Sequence, residues 1–241
     1  MPHIVISTKM DNNTFTFHPN KIVDAIICDL GGVLVDLNVP RCIAAFRRLM
    51  GDANMHRVLG LGDDGEGINA ASVANRMLMA DFERGKVSEN AFINNILQYC
   101  KPGATRQQVI DAWLSMIDGL PLERLAFIGS LRKAGYYTFM FSNNNELHWR
   151  FVVEQFNFSL YFNDIFLSHE IHYAKPEKES FYYVHSAINA YLQRTIGACG
   201  HVSFSPKILF IDDLHKNRMA AEHYVGWETI DSIAALQQLG L

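Results

Sequence analysis

The sequence predicts an α/β protein, a doubly wound parallel sheet that carries a helical subdomain inserted after its first strand. Short apolar runs typical of buried strands alternate with helix-like segments from about residue 122 onwards. A further apolar run at 22–28 is separated from them by a long block with helical periodicity. Alternating strands and helices indicate βαβ units, whose parallel sheet is covered by helices on both faces.

Length and composition allow one sizeable core, or a core with a small accessory domain. The 241 residues are 49% hydrophobic, and their formal net charge of −4 is dispersed, unlike the basic face of a nucleic-acid-binding protein. No apolar stretch is long enough to predict a membrane span or a signal peptide. The four cysteines form no CxxC pair, which is typical of free thiols in a reducing cytosol. We expect a cytoplasmic monomer or homodimer without nucleic-acid or membrane partners.

The hydrophobic pattern divides the chain into an extension, a core and an insert. Residues 1–20 have mixed polarity and weak periodicity, and we interpret them as an N-terminal extension. Residues 21–36 and 122–241 form the predicted α/β core, and residues 37–121 form the predicted helical cap. Cap helices are expected over 40–50, 71–84, 88–100 and 105–117, with Gly51 ending the first, Ser88 capping the third and 60–67 forming a loop.

The core pattern predicts five strands that alternate with four helices. The apolar runs predict strands over 22–28, 136–141, 164–168, 207–211 and 227–230. The segments between them predict helices over 122–134, 145–156, 178–191 and 216–225.

Each of four apolar runs ends in, or soon leads to, residues that can handle phosphate. Asp29 follows the first, Ser142-Asn143 the second and Asp212-Asp213 the fourth, and Lys175-Pro176 lies just past the third. In parallel α/β sheets, ligands bind beyond the carboxyl ends of the strands. The sequence therefore predicts that these side chains converge on one site.

These residues resemble the four motifs of the haloacid dehalogenase superfamily, in the expected order. Asp29-Leu30-Gly31-Gly32-Val33-Leu34 resembles the first motif, Ser142 the second, Lys175 the third and Asp212-Asp213 the fourth. The resemblance covers roughly 22–230, and the helical insert is similar to the family's cap on a Rossmann-like core. The stretch from Ser142 to His148, Ser-Asn-Asn-Asn-Glu-Leu-His, looks like the second motif of a branch similar to glucose-1-phosphate phosphatases.

The resemblance implies a Mg²⁺-dependent phosphatase whose nucleophile is Asp29. An Asp carboxylate that attacks phosphorus forms an aspartyl phosphate and splits one difficult step into two. Mg²⁺ prefers carboxylate, phosphate and water oxygens, which Asp29, Asp213 and the carbonyl of Gly31 would supply. Asp212 is expected to support the ion indirectly, and Asn217 could orient it.

The remaining motif residues are expected to bind the substrate, a small phosphorylated metabolite with sugar phosphates among the candidates. Lys175 would pair with the phosphate and keep the nucleophile ionised. Ser142, Asn143 and nearby backbone N–H groups would donate to phosphate oxygens. His148 is placed near the phosphate loop, and Gly32 lets the loop backbone approach closely.

One position departs from the family's usual pattern. Most phosphatases of the superfamily carry a second Asp two residues after the nucleophile, and here that residue is Gly31. General acid–base assistance is worth roughly 10²–10⁴-fold, so its loss should favour leaving groups that depart without protonation and slow the second step. A further hypothesis is that His148 partly replaces the missing acid.

Two rival functions follow from the same residues. A dehalogenase would use the same Asp29 on carbon without a metal, although Asp212-Asp213 would then repel a carboxylate substrate. A protein without turnover would bind a phosphorylated ligand or a partner only. Specificity is expected to depend on the cap, where Arg41, Arg76, Phe82 and Trp113 could each reach the substrate or belong to the surface or cap core.

Overall fold

The computed structural model describes residues 23–59, 70–197 and 206–240, so the predicted N-terminal extension and the 60–67 loop lie outside it. Its described strands are β1 (Ala25–Cys28), β2 (Asp36–Leu37), β3 (Ile117–Gly119), β4 (Tyr137–Ser142), β5 (Asp164–Leu167), β6 (Ile208–Ile211) and β7 (Glu228–Ile230). Five of them form a parallel sheet in the order β5-β4-β1-β6-β7. The predicted parallel α/β sheet is confirmed.

The described helices are α1 (Val39–Leu59), α2 (Ala70–Glu83), α3 (Glu89–Leu97), α4 (Arg106–Leu114), α5 (Leu122–Lys133), α6 (Glu146–Val153), α7 (Ser168–Ile171), α8 (Lys178–Gly197), α9 (His215–Val225) and α10 (Ile233–Gln238). Among them, no helix has the length and apolar character needed to cross a membrane.

Helices cover both faces of the five-stranded sheet. The side chains of β1 alternate: Ile26 and Cys28 belong to one buried cluster, and Ala25 and Ile27 to the other. All four are fully buried, as expected for the central strand of a parallel sheet. Because β1 lies between β4 and β6, the residues that follow these three strands meet at one edge.

Helices α1 to α4 surround a separate hydrophobic cluster. Its centre is aromatic: the rings of Phe82 and Phe92 are stacked with centroids 4.1 Å apart, and Trp113 contacts Phe92 edge-on. Helix α3 begins as predicted, because the Ser88 hydroxyl accepts a hydrogen bond from the N–H of Ala91. Gly51 has φ +76° and interrupts α1, so the first helical segment ends there as predicted and a second segment continues to Leu59.

A two-stranded antiparallel ribbon, β2 with β3, joins the two ends of this helical block. The sequence did not predict it, and the helix expected over 105–117 was wrong at its end, because Ile117 pairs with Leu37 instead. Helices α7 and α10 were also missed. Strands of two and three residues and a helix of four are too short to show a hydrophobic period. The cap boundaries at 37 and 121 stay a prediction.

Candidate active site

The site lies where β1, β4 and β6 end. Asp29 follows β1 directly, and its N–H donates to the carbonyl of Ile211 on β6 at 2.8 Å. Asp212 and Asp213 follow β6, and Ser142 is the last residue of β4. The parallel register places these residues side by side, so the sheet brings together three of the four motifs.

Lys175, which carries the third motif, is buried at the centre of this group. Its Nζ lies 2.9 Å from Oδ2 of Asp29 and 2.6 Å from Oδ2 of Asp212, and it donates to the carbonyl of Phe141 at 2.9 Å. Burial works against the ammonium charge, but the two carboxylates outweigh it and raise the pKa of Lys175. The lysine is therefore charged and ties the strand ends together.

Three carboxylates form a cluster that can hold a cation. One oxygen each from Asp29, Asp212 and Asp213 lies within 4.8 Å of the others. Three carboxylates against one ammonium leave an excess of negative charge, which a divalent ion would neutralise. Burial is the main cause of a raised pKa of Asp29; Lys175 opposes this rise, and the charge of Asp212 adds to it.

The carboxylate of Asp212 is already saturated with donors. Besides Lys175, it accepts from the N–H of Leu214 at 2.9 Å and from Nδ2 of Asn217 at 3.0 and 3.1 Å. Asp213 is solvent-exposed. Asn217 thus orients Asp212, as expected, and the ligand roles of Asp29 and Asp213 and the indirect role of Asp212 stay predictions. Gly31 lies in the loop between Asp29 and Val35, with which it forms a bridge.

In the loop after β4, the side chain of Asn143 holds the backbone of Lys175. The amide of Asn143 donates to the carbonyl of Lys175 and accepts from its N–H, both at 2.8 Å. These two bonds use one of the two amide N–H groups and hold the side chain in place, and its predicted contact with phosphate stays a prediction. The sequence motif gave no sign of this pairing, because it joins residues 32 positions apart.

His148 is held by the helical block. Its Nε2 lies 3.1 Å from the carbonyl of Trp113, its Nδ1 lies 3.2 Å from Nδ2 of Asn145, and its ring stacks on that of Trp113 at 5.2 Å. Burial lowers the pKa of His148 to about 4. A neutral imidazole with both nitrogens engaged is a poor proton donor, which argues against the hypothesis that it replaces the missing acid.

A cavity of about 230 Å³ opens between the helical block and the core, above Gly31. Apolar side chains from both units line it, among them Met79 and Trp113 of the helical block and Leu30, Val35 and Val152 of the core. Its polar lining residues are Glu83, Ser142, Asn143, Asn144, Asn145 and His148. This partly open space, which Gly31 and Ser142 also line, suits a small molecule that has an apolar or neutral body.

The four cap candidates have different positions. Trp113 lines the cavity, whereas Phe82 is buried in the aromatic centre of the helical block. Arg41 pairs with Asp118 at 2.5 Å, and Arg76 lies in a part of α2 whose side chains the structure does not describe. Glu83 was not predicted from the sequence. It is the last residue of an amphipathic helix, a position at which a glutamate is usually exposed to solvent.

Gly32 is packed against Asp213, which gives a direct test of the cluster. Its φ is +74°, and a Cβ at this position would lie 2.5 Å from Oδ2 of Asp213. We expect Gly32→Ala to displace that carboxylate and to weaken Mg²⁺ binding at least tenfold, because one of the two available ligands moves. Isothermal titration with Mg²⁺ measures the change.

Gly226→Ala is the matched control for this substitution. Gly226 also has a positive φ, +67°, but a Cβ there meets nothing within 4 Å. It reproduces the backbone strain without the collision, so its Mg²⁺ affinity should equal that of the wild type. Equal affinity of Gly32→Ala and Gly226→Ala would contradict the assignment of Asp213 as a ligand.

Comparison with known proteins agrees with this geometry. The family profile described as haloacid dehalogenase-like hydrolase matches residues 23–213. A D-ribitol-5-phosphate phosphatase from Bacteroides thetaiotaomicron is 26% identical over 166 residues, which cover 66% of this chain and 74% of that protein.

Two solved structures are similar over most of both chains. A HAD family enzyme from Bacteroides thetaiotaomicron, in complex with magnesium and inorganic phosphate, has a TM-score of 0.67 and 26% identity, covering 87% of this chain and 93% of that one. A predicted HAD-like hydrolase from Porphyromonas gingivalis has a TM-score of 0.65 and 27% identity, covering 91% and 98%. With a family match over most of its length and four motifs at one edge of a parallel sheet, this chain belongs to the haloacid dehalogenase-like hydrolases.

Proposed function

We propose that this hydrolase is a Mg²⁺-dependent phosphatase that acts on a small phosphorylated metabolite through a phospho-Asp29 intermediate. One observation carries the proposal: the three carboxylates meet within 4.8 Å around the buried ammonium of Lys175. That arrangement combines a nucleophile, a place for a divalent ion and a fixed positive charge. These are the groups that phosphoryl transfer to a carboxylate requires.

The residues present fit a magnesium ion. Asp29, Asp213 and the carbonyl of Gly31 would hold it, and Asp212 would position Lys175 and Asn217 nearby. When bound, the ion would offset the repulsion between the substrate phosphate and the carboxylates. The similar enzyme from Bacteroides thetaiotaomicron in complex with magnesium and phosphate supports this choice of metal.

The side chains of this chain have separate roles in the reaction. The Asp29 carboxylate forms a bond to phosphorus while the ester oxygen leaves, and water then cleaves the acyl phosphate and restores the carboxylate. Lys175 stabilises negative charge on the phosphoryl oxygens, and Ser142 with the following N–H groups donates hydrogen bonds to them. The helical block covers the cavity and would exclude bulk water during the first step.

The cavity and the curated relative favour a sugar or polyol phosphate as substrate. The relative is a phosphatase for D-ribitol 5-phosphate, a polyol monophosphate. No Lys or Arg side chain is among the described residues that line the cavity, so a second anionic group on the substrate would find no positive partner there. A neutral, hydroxylated leaving group agrees with the substrate of the relative and with the charge of the cavity lining.

The test is a panel of phosphate monoesters with and without metal. We expect hydrolysis of p-nitrophenyl phosphate and of sugar or polyol monophosphates with Mg²⁺, and loss of activity in EDTA that returns when Mg²⁺ is added in excess. Metal-independent release of halide from a 2-haloacid would instead establish a dehalogenase. Mg²⁺ and phosphate binding without turnover of any ester would establish the non-catalytic alternative.

A further inference from the structure

The cleavage of an unactivated ester needs a proton for the departing oxygen, and Gly31 has no side chain that could donate one. The space beside it is filled: a Cβ at position 31 would lie 3.0 Å from Cδ1 of Leu37. A donor for such substrates must therefore come from another part of the cavity wall.

Two side chains with ionisable groups line the described part of this cavity, Glu83 and His148. His148 is neutral and both of its nitrogens are engaged. Glu83 is partly exposed and lines the cavity. Desolvation raises the pKa of its carboxyl despite the opposing charges of Arg84 and Lys216. A glutamate with a raised pKa at the wall of the cavity is better suited than a free one to give a proton and to take one back.

The backbone around Glu83 is fixed to the catalytic core. Its carbonyl accepts from the hydroxyl of Ser168 at 2.5 Å, and the same hydroxyl accepts from the N–H of Asn144 at 2.8 Å. The next residue, Arg84, forms an ion pair with Glu177, with Nε 3.0 Å from Oε1. The end of α2 is thus attached both to the loop after β4 and to the loop that carries Lys175.

We propose that Glu83 is the general acid and base of this phosphatase, in place of a side chain at position 31. In the first step, the bond from Asp29 to phosphorus forms, the bond from phosphorus to the ester oxygen breaks, and that oxygen takes the proton of Glu83. In the second step, the Glu83 carboxylate takes a proton from water as the water oxygen bonds to phosphorus and Asp29 leaves. The inference rests on the proposed phosphatase activity.

This assignment changes the expectation drawn from Gly31 alone. With an acid supplied by α2, esters of ordinary alcohols become substrates, and turnover need not favour activated leaving groups. It also makes catalysis depend on the helical block, because the acid reaches the site only while the end of α2 stays attached to the core.

Glu83→Gln tests the assignment with two substrates that differ in their need for a proton. D-ribitol 5-phosphate has an alcohol leaving group, whereas p-nitrophenol departs without protonation. We expect kcat for the alcohol ester to fall about 10²–10³-fold, while the first turnover of p-nitrophenyl phosphate changes little. Without the base, rapid quench with labelled substrate should then show a burst of nitrophenolate and build-up of the phosphoenzyme.

Glu179→Gln is the matched control, because Glu179 is 49% exposed on α8 and does not line the cavity. It should leave both substrates and the burst unchanged. Equal losses for the two esters in Glu83→Gln, or no phosphoenzyme build-up, would overturn the assignment. A wild-type enzyme that cleaves the aryl ester but no alkyl phosphate would overturn it too. A wild-type enzyme inactive on every monoester would instead contradict the proposed function itself.

Gly31→Asp in the Glu83→Gln background is a second, independent test. It places a carboxyl where the ester oxygen leaves, and Leu37→Ala gives that side chain room. We expect the combined variant to regain at least a tenfold higher rate on D-ribitol 5-phosphate than Glu83→Gln alone. Recovery identifies the defect as a missing proton donor, whereas no recovery in a folded, Mg²⁺-binding variant would contradict the role of Glu83.

Discussion

Replacement of Asp29 by asparagine should reduce phosphatase activity below about 10⁻⁴ of the wild-type value, because an amide cannot form the covalent intermediate. The fold should persist. Asparagine has the same shape, its oxygen can still accept from the N–H of Leu30 at 2.7 Å, and Lys175 keeps Asp212 as its ionic partner at 2.6 Å. Steady-state kinetics and rapid quench with labelled substrate measure the loss.

Asp52→Asn is a suitable control for that experiment. Its carboxylate is 70% exposed in the helical block, where it pairs with Arg47, so activity should be unchanged. The wild type and this control should yield labelled protein on quenching, and Asp29→Asn should yield none. Label on the Asp29→Asn protein at the wild-type level would show that another residue is the nucleophile.

Replacement of Lys175 by methionine should affect both stability and activity. The side chains of Lys175 and Asp212 are fully buried, and loss of the ammonium leaves Asp29 and Asp212 facing each other without a counter-charge. Breaking a buried ion pair in this way costs about 3–5 kcal/mol, which for a chain of this size lowers Tm by roughly 6–20 °C. Methionine still fills the space beside Phe141 and Phe210, whose rings lie 5.1 and 5.3 Å from Nζ.

Added Mg²⁺ should change the Tm of Lys175→Met and that of the wild type by different amounts. A divalent ion supplies part of the missing positive charge, so added Mg²⁺ should raise Tm more in Lys175→Met than in the wild type. Activity should still fall by about 10²–10³-fold, because a fixed positive charge at the phosphoryl group is lost. Lys178→Met, which removes a 58% exposed lysine from α8, should change stability by less than about 0.5 kcal/mol. The same Tm for Lys175→Met and Lys178→Met would contradict the stabilising role of Lys175.

The sequence was sufficient to predict the sheet and the convergence of its strand ends. The strands are continuous apolar runs, and the motif residues follow them directly, so parallel topology alone brings Asp29 next to Asp213. Lys175 was placed correctly near the site although it does not immediately follow a strand, because the family resemblance supplied that link. Such predictions depend on local pattern and order, which a single sequence contains.

Other features depend on packing between distant segments and were not predicted. The sequence gives no sign that the amide of Asn143 holds the backbone of Lys175, as it does in the structure. Glu83 reads as a surface residue at a helix end, and only the position of α2 against the core turns it towards the cavity. The ribbon of β2 and β3 is too short to carry a periodic signal.

The contact between Gly31 and Leu37 links two positions that are six residues apart. A larger side chain at position 31 would collide with Leu37. Substitutions at these two positions are therefore expected to be coupled in evolution. Homologues that have an acidic residue at position 31 are expected to have a residue smaller than leucine at position 37. Homologues that keep glycine and a bulky apolar residue should retain a glutamate at the end of α2, a pattern of covariation that an alignment of related sequences can reveal.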